Sequence, residues 1–277
     1  MSRFAIEVML HWGAVACYIV ALAIFAHAIV FEHPKRVRFA QLALFIGLLV
    51  HAVALVIRWI AAGHGPYMLK YEVLSSNAWI AGLLLLFFVW RRPRWAFASL
   101  IIVPAMILMV ALALFTNPDL RELPPTLRSV WLTFHILFNK LAAGSYLMSV
   151  ATSVVLLKKN KEPEKQSAWM RSLPAPEALE AFTARFIGFG FIFWTITIGA
   201  GAIWANESWG RYWGWDPIET WSLITWLGYG SYLHLRYFFK IRGTTSAWLA
   251  LTCFAIAVLT IFLLPFAIPS LHSAYFQ

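Results

Sequence analysis

The chain has 277 residues, 61% of them hydrophobic and only 12% charged, and a water-soluble globule of that composition would leave far too much apolar surface in contact with solvent. Its net charge of +10 would suit a nucleic acid, but the Lys and Arg residues sit in short clusters between apolar runs, where they set topology or meet anionic headgroups. Nucleic acid is therefore set aside and membrane lipid is the expected surrounding. The two cysteines, Cys17 and Cys253, each lie inside an apolar stretch with no CxxC and no nearby His, so they read as packing residues rather than as thiols of a disulfide or metal site.

A bilayer core of about 30 Å calls for roughly 20 apolar residues per helix. Eight such runs follow one another, near residues 9–30, 39–62, 74–90, 96–116, 129–157, 183–204, 219–239 and 246–267. The first resembles a signal peptide, with Arg3 ahead of it and Ala26-His27-Ala28 at its end, but Lys35, Arg36 and Arg38 follow at once and would hold that end in the cytoplasm. Arg91, Arg92 and Arg94, then Lys158, Lys159, Lys161, Lys165 and Arg171, then Arg236, Lys240 and Arg242 fall in segments on that same side. The opposite side has only Arg3, Lys70, Arg121, Arg128 and Arg211. The positive-inside rule thus puts both termini on the outer, periplasmic side, and an even number of spans requires termini on one side. The expected architecture is an all-α polytopic bundle of about eight transmembrane helices, a single integral membrane domain over 1–277 with a cytoplasmic basic linker at 158–178 containing Pro163, Pro174 and Pro176.

Between the sixth and seventh runs stands Trp204-Ala-Asn-Glu-Ser-Trp209-Gly-Arg-Tyr-Trp213-Gly-Trp215-Asp216-Pro-Ile-Glu-Thr-Trp221. Trp and Tyr favour the headgroup region of any membrane protein, so an interfacial belt is one reading. The other is a platform for a large flat ligand: indole faces stack on a macrocycle, Gly210 and Gly214 permit close backbone approach, and Arg211 can pair with a carboxylate.

The histidines sort by depth. His135 falls near the outer end of the fifth run and His272 just beyond the outer end of the eighth, so both flank the face that carries the tryptophans. Each is either an interfacial polar group or a ligand for a metal held against that face. His51, about 16 Å below the outer end of the second run, and His234, about 22 Å into the seventh, are within the membrane; there an imidazole bonds a neighbouring helix or lines a pathway. His11, His27 and His33 read as interfacial or packing residues, and Arg58 and Arg236 as neutralising or snorkelling cations.

The stretch WGRYWGWDPIETWSLITWLGYGSYLHLR, with its flanking histidines in order, resembles the tryptophan-rich WWD signature of the CcsA (ResC) family of cytochrome c biogenesis, whose members handle haem. The resemblance covers roughly His51 to His272. It departs from the family at Ile218, where DPKE would have a lysine, and at Gly63-His64-Gly65-Pro66-Tyr67, which matches only loosely.

The resemblance implies that His135 and His272 are the outer axial ligands of a haem b that is both substrate and ligand, and the catalytic pair. It implies that Trp204, Trp209, Arg211, Trp213, Trp215 and Asp216 cradle that haem, and that His51 and His234 form a transmembrane haem site on the route outward. The implied reaction joins haem vinyl groups to the thiols of a CxxCH segment. This chain has no CxxCH, so apocytochrome c would supply it, kept reduced by thioredoxin-like proteins. A CcsB (ResB) membrane partner would complete the synthase, in a bacterial cytoplasmic membrane rather than a thylakoid, with the active site facing outward. A membrane cytochrome b, a haem exporter without catalytic function and a non-enzymatic assembly subunit are the alternatives.

Overall fold

The computed structural model describes residues 3–161, 166 and 168–270. His272 lies outside the described residues, and the 158–178 linker is described in part. The regular elements are all helical: α1 (Arg3–Val30), α2 (Val37–Ala62), α3 (Lys70–Arg91), α4 (Ser99–Leu114), α5 (Val130–Lys161), a short α6 (Ala168–Ser172), α7 (Pro176–Trp209), α8 (Pro217–Tyr237), α9 (Gly243–Val258) and a last turn α10 (Leu264–Ala267). Prolines open α7 and α8, as well as the 3₁₀ turns Pro34–Arg36, Pro93–Ala98 and Pro125–Leu127, because the first helical turn needs no intrahelical N–H. A π-helical turn, Leu259–Leu263, separates α9 from α10.

Seven helices among the described residues are long and apolar enough to cross a membrane: Phe4–Val30, Pro34–Ala62, Lys70–Arg91, Pro93–Leu114, Val130–Lys161, Pro176–Trp209 and Gly243–Leu263. They answer to all the expected runs but the seventh. That run forms α8, whose 21 residues reach about 31 Å but whose apolarity is lowered by Thr220, Ser222, Thr225, Ser231, His234 and Arg236.

The helices are apolar outside and mixed inside. On α2, Leu42, Phe45, Leu49, Val53, Val56 and Ile60 are exposed at helical spacing, whereas Leu44, Leu48, His51, Leu55 and Arg58 are buried. Burying polar groups while displaying aliphatic ones is the pattern expected of a helix whose solvent is lipid.

The chain divides into two compact units, Met1–Glu122 with Lys165–Pro174, and Leu123–Glu164 with Ala175–Gln277. The division falls at Glu122 as well as within the basic linker. In the first unit α1 packs on α2 and α4, and α3 packs on the same two helices, closing a four-helix ring. Its buried ion pair joins Arg58 Nε to Glu72 Oε1 at 2.8 Å. Arg58 also donates to the carbonyls of Pro118 and Asp119, which fastens the segment after α4 to α2.

In the second unit α5 and α8 each pack on α7 and α9. Tyr146 of α5 stacks on Tyr229 of α8 at 3.7 Å between centroids, with Trp194 and Cys253 in the same core. Lipid supplies no hydrophobic drive between helices, so interhelical hydrogen bonds carry weight. Thr152 meets Thr183 (2.7 Å), Thr225 meets Thr260 (2.8 Å), Tyr232 meets Ser246 (3.0 Å), and Trp194 Nε1 donates to the Ser222 carbonyl (3.0 Å).

Candidate functional site

α7 continues five residues past its expected end, because nothing between Trp204 and Trp209 breaks a helix. It stops where Gly210 takes φ 71° and donates its N–H to the Asn206 carbonyl, a left-handed cap that costs glycine least. Trp204 and Trp209 therefore project from the last turns of a helix rather than from a loop, with ring centroids 4.9 Å apart at 62°.

The segment ahead of α5 holds these turns in place. The Thr126 carbonyl accepts from Trp204 Nε1 (2.8 Å) and Ser208 Oγ (3.0 Å), and Ser129 Oγ donates to Glu207 Oε2 (2.6 Å).

His135, on the second turn of α5, lies against the same stretch of α7. Its Nδ1 is 2.9 Å from the Thr197 carbonyl. A carbonyl can only accept, so Nδ1 carries the hydrogen, and in the neutral form of the ring the lone pair is on Nε2. This is the arrangement by which backbone carbonyls orient metal-ligating imidazoles. The close approach depends on Gly201, where a Cβ would fall 2.6 Å from His135 Nδ1. The imidazole is tilted 31° to the Trp204 ring at 6.3 Å, so histidine and tryptophans share one neighbourhood.

Residues 210–216 form the turn into α8. Trp213 and Trp215 meet edge to face at 5.7 Å. Trp215 has φ 58° and is 68% exposed, a backbone conformation that a bulky residue seldom adopts and that is concentrated at functional sites. The buried Trp213 Nε1 has no hydrogen-bond partner among the described residues. Arg211 is exposed, and its guanidinium lies over Gly214, where a Cβ would come 2.2 Å from Cζ.

Asp216 has a task inside the fold: its Oδ1 accepts from Ile218 N (2.9 Å), while Glu219 Oε2 accepts from Gly214 N (2.8 Å) and Asp216 N (3.1 Å). Together they form a capping box that starts α8. Asp216→Ala is expected to lower stability by about 1 kcal/mol and Asp216→Asn by much less. Thermal unfolding of the purified variants checks this, and equal losses would contradict the capping role.

The other expected site residues make contacts of their own. His234 is exposed on α8 and stacks on Phe238 at 4.6 Å. His51 belongs to the first unit and is fully buried, with Nδ1 bonded to Tyr18 (3.0 Å) and Nε2 to Ser75 (2.8 Å). Ligation by either nitrogen would break one of these bonds. Arg58 is held by Glu72, and Arg236 pairs with Glu180 at 2.8 Å. His64 is buried between the carbonyls of Gly65 (2.8 Å) and Arg121 (3.4 Å). Beside it, burial and the Glu72 carboxylate hold the Tyr67 phenol above its usual range. His27 bonds Arg36 and stacks on His33. Thr197, Gly201, Thr126 and Ser129 were not singled out from the sequence; the small-residue run Gly199-Ala-Gly201-Ala was the one available sign of a close approach.

A family model described as cytochrome C assembly protein matches residues 67–272. Cytochrome c biogenesis protein CcsA of Chlamydomonas reinhardtii is 35% identical over 213 residues, which cover 73% of this chain and 58% of that one. The CcsA of Prochlorococcus marinus (strain MIT 9312) is 32% identical over 257 residues, covering 84% of this chain and 82% of its own. Among solved structures, a chain described as cytochrome c heme lyase CcmF superposes with a TM-score of 0.71 at 18% identity, covering 95% of this chain and 47% of the other, a likeness of fold. The chain thus spans little over half of the algal relative and about half of the solved one, but most of the cyanobacterial relative. With the match covering most of the chain, from shortly after the second helix to residue 272, the chain belongs to the cytochrome c assembly protein family.

Proposed function

We propose that this chain is a membrane subunit of a cytochrome c synthase that binds haem b as substrate at its tryptophan-rich face and presents it to apocytochrome c. The observation that carries the reading is His135: a carbonyl fixes its Nδ1–H, which leaves the lone pair of the neutral ring on Nε2, Trp204 lies beside it, and Trp209 packs on Trp204. That donor set fits haem, whose iron takes axial imidazole and whose macrocycle stacks on indole. His135 and His272 are the proposed axial ligands. The exposed Arg211 is the proposed partner of a propionate, with Trp213 and Trp215 as further aromatic contacts. His234 is the proposed ligand for haem on its way through the membrane. His51 is not included, because both its ring nitrogens are engaged.

Each thioether forms when a CxxCH thiol adds across a haem vinyl group, the sulfur taking one vinyl carbon and a hydrogen the other. The chain's contribution is positional: it holds the macrocycle and leaves an edge open to the incoming peptide. The proposed setting is a bacterial cytoplasmic membrane with the site facing outward. A CcsB (ResB) membrane partner completes the synthase, and thioredoxin-like proteins keep the thiols reduced.

Co-expression with such a partner and an apocytochrome tests the reading. Covalent haem on the CxxCH peptide, absent when both cysteines are alanine, is the expected result. Haem delivered equally to the cysteine-free peptide would show transport without attachment, and no attachment to the intact peptide would end the synthase reading.

A further inference from the structure

A separate set of buried polar side chains lies in the first unit. α1 supplies Glu7, His11 and Tyr18, α2 supplies His51, and α3 supplies Tyr71 and Ser75, none more than 3% exposed. Their contacts make a continuous chain. The Tyr18 hydroxyl is 3.0 Å from His51 Nδ1, His51 Nε2 is 2.8 Å from Ser75 Oγ, and that oxygen is 2.8 Å from His11 Nε2. His11 Nδ1 is 2.9 Å from the Glu7 carbonyl and 3.1 Å from the Tyr71 hydroxyl, and that hydroxyl is a neighbour of the Glu7 carboxyl.

The hydrogens in this chain have one consistent direction. The Glu7 carbonyl can only accept, so His11 Nδ1 carries its hydrogen and Nε2 must accept. Ser75 therefore donates to His11, which leaves its oxygen to accept from His51 Nε2–H. His51 Nδ1 then accepts from Tyr18. At the other end the one His11 Nδ1–H is shared between the Glu7 carbonyl and the Tyr71 oxygen, which leaves the Tyr71 hydrogen to be donated to Glu7. Oε1 of that carboxyl is buried without a hydrogen-bond partner among the described residues. α4, which completes the ring of helices, has no titratable residue, and the nearby Arg58 and Glu72 are paired with each other. Ionisable groups within a membrane are costly and usually serve a pathway.

We infer that the first unit carries a proton-transfer path between Tyr18, midway along α1, and Glu7, near its start. The two residues lie about 16 Å apart along the helix. A proton received at the Tyr18 oxygen displaces the Tyr18 hydrogen to His51 Nδ1. The His51 Nε2 hydrogen passes to Ser75, the Ser75 hydrogen to His11 Nε2, the His11 Nδ1 hydrogen to Tyr71, and the Tyr71 hydrogen to the Glu7 carboxylate. Each N–H or O–H bond that breaks is replaced on the next residue, no electron moves, and the proton leaves from Glu7. The inference is independent of the haem assignment.

Ring-nitrogen NMR of the full chain in lipid nanodiscs, transferred to D₂O, tests it. In a merely structural network the His51 Nε2–H exchanges only when the unit opens, at the pace of the slowest α2 backbone amides. A conducting path exchanges it faster than those amides, together with His11. Glu7→Gln is expected to slow both rings, Ser75→Ala to slow His51 to the amide pace, and Ser75→Thr, which keeps the hydroxyl, to restore it. Wild-type His51 exchanging no faster than the amides overturns the path, as does a His51 rate unchanged by Ser75→Ala. Should Ser75→Ala fail to fold, the wild type and Glu7→Gln decide the matter alone.

Discussion

Replacing Arg58 with alanine is expected to destabilise the first unit by about 3–5 kcal/mol, the usual loss when one partner of a buried ion pair is removed. Both side chains are almost wholly buried, at 2% and 1% exposure. Glu72 also accepts from the backbone N–H groups of Met68 and Leu69, so its carboxylate is committed to opening α3 and cannot turn to solvent. Without Arg58 that charge stands uncompensated, and the Pro118 and Asp119 carbonyls lose their donor. Arg58→Lys keeps the charge but lacks the fork that reaches Glu72 and the two carbonyls together, so an intermediate loss is expected. Thermal unfolding in detergent measures both. An Arg58→Ala variant as stable as wild type would show that the pair contributes nothing.

The second large effect is expected at Gly201, which faces His135. In Gly201→Val the new Cβ would sit 2.6 Å from His135 Nδ1, a separation that forces the ring off the Thr197 carbonyl. The imidazole then loses the bond that fixes its tautomer and direction, and disturbing such a supporting contact typically costs about 10–100-fold in metal affinity. Haem titration followed by absorbance is expected to show that loss. Gly199→Ala is the control, since a Cβ there meets nothing within 4 Å. Equal affinity in Gly201→Val and wild type would mean that His135 does not bind iron in the position described.

Hydropathy made most of the fold legible, because each span is a long apolar run ending in basic residues, proline or glycine. It understated α7, whose polar first turns after Pro176 and aromatic last turns to Trp209 carry no transmembrane signal although no residue there interrupts a helix. The capping box was also open to reading from Asp216-Pro-Ile-Glu219, with an acid at the cap, proline at the first helical position and glutamate at the third. His135 stands out in the sequence through its order relative to the tryptophans. The glycine and carbonyl that orient it sit more than sixty residues away, and pairing across that distance exists only after folding. For the same reason His11 read as a packing residue: its bond to Ser75, shared with His51, joins three helices and leaves no local pattern.

His135 is the proposed haem ligand at the tryptophan-rich face. An absorption spectrum of the purified chain with its partner, for wild type and His135→Ala, tests it most directly. Co-purified haem with bis-histidine bands in the wild type, lost or shifted in His135→Ala, is the predicted result; a colourless wild type, or a spectrum indifferent to the substitution, would contradict it.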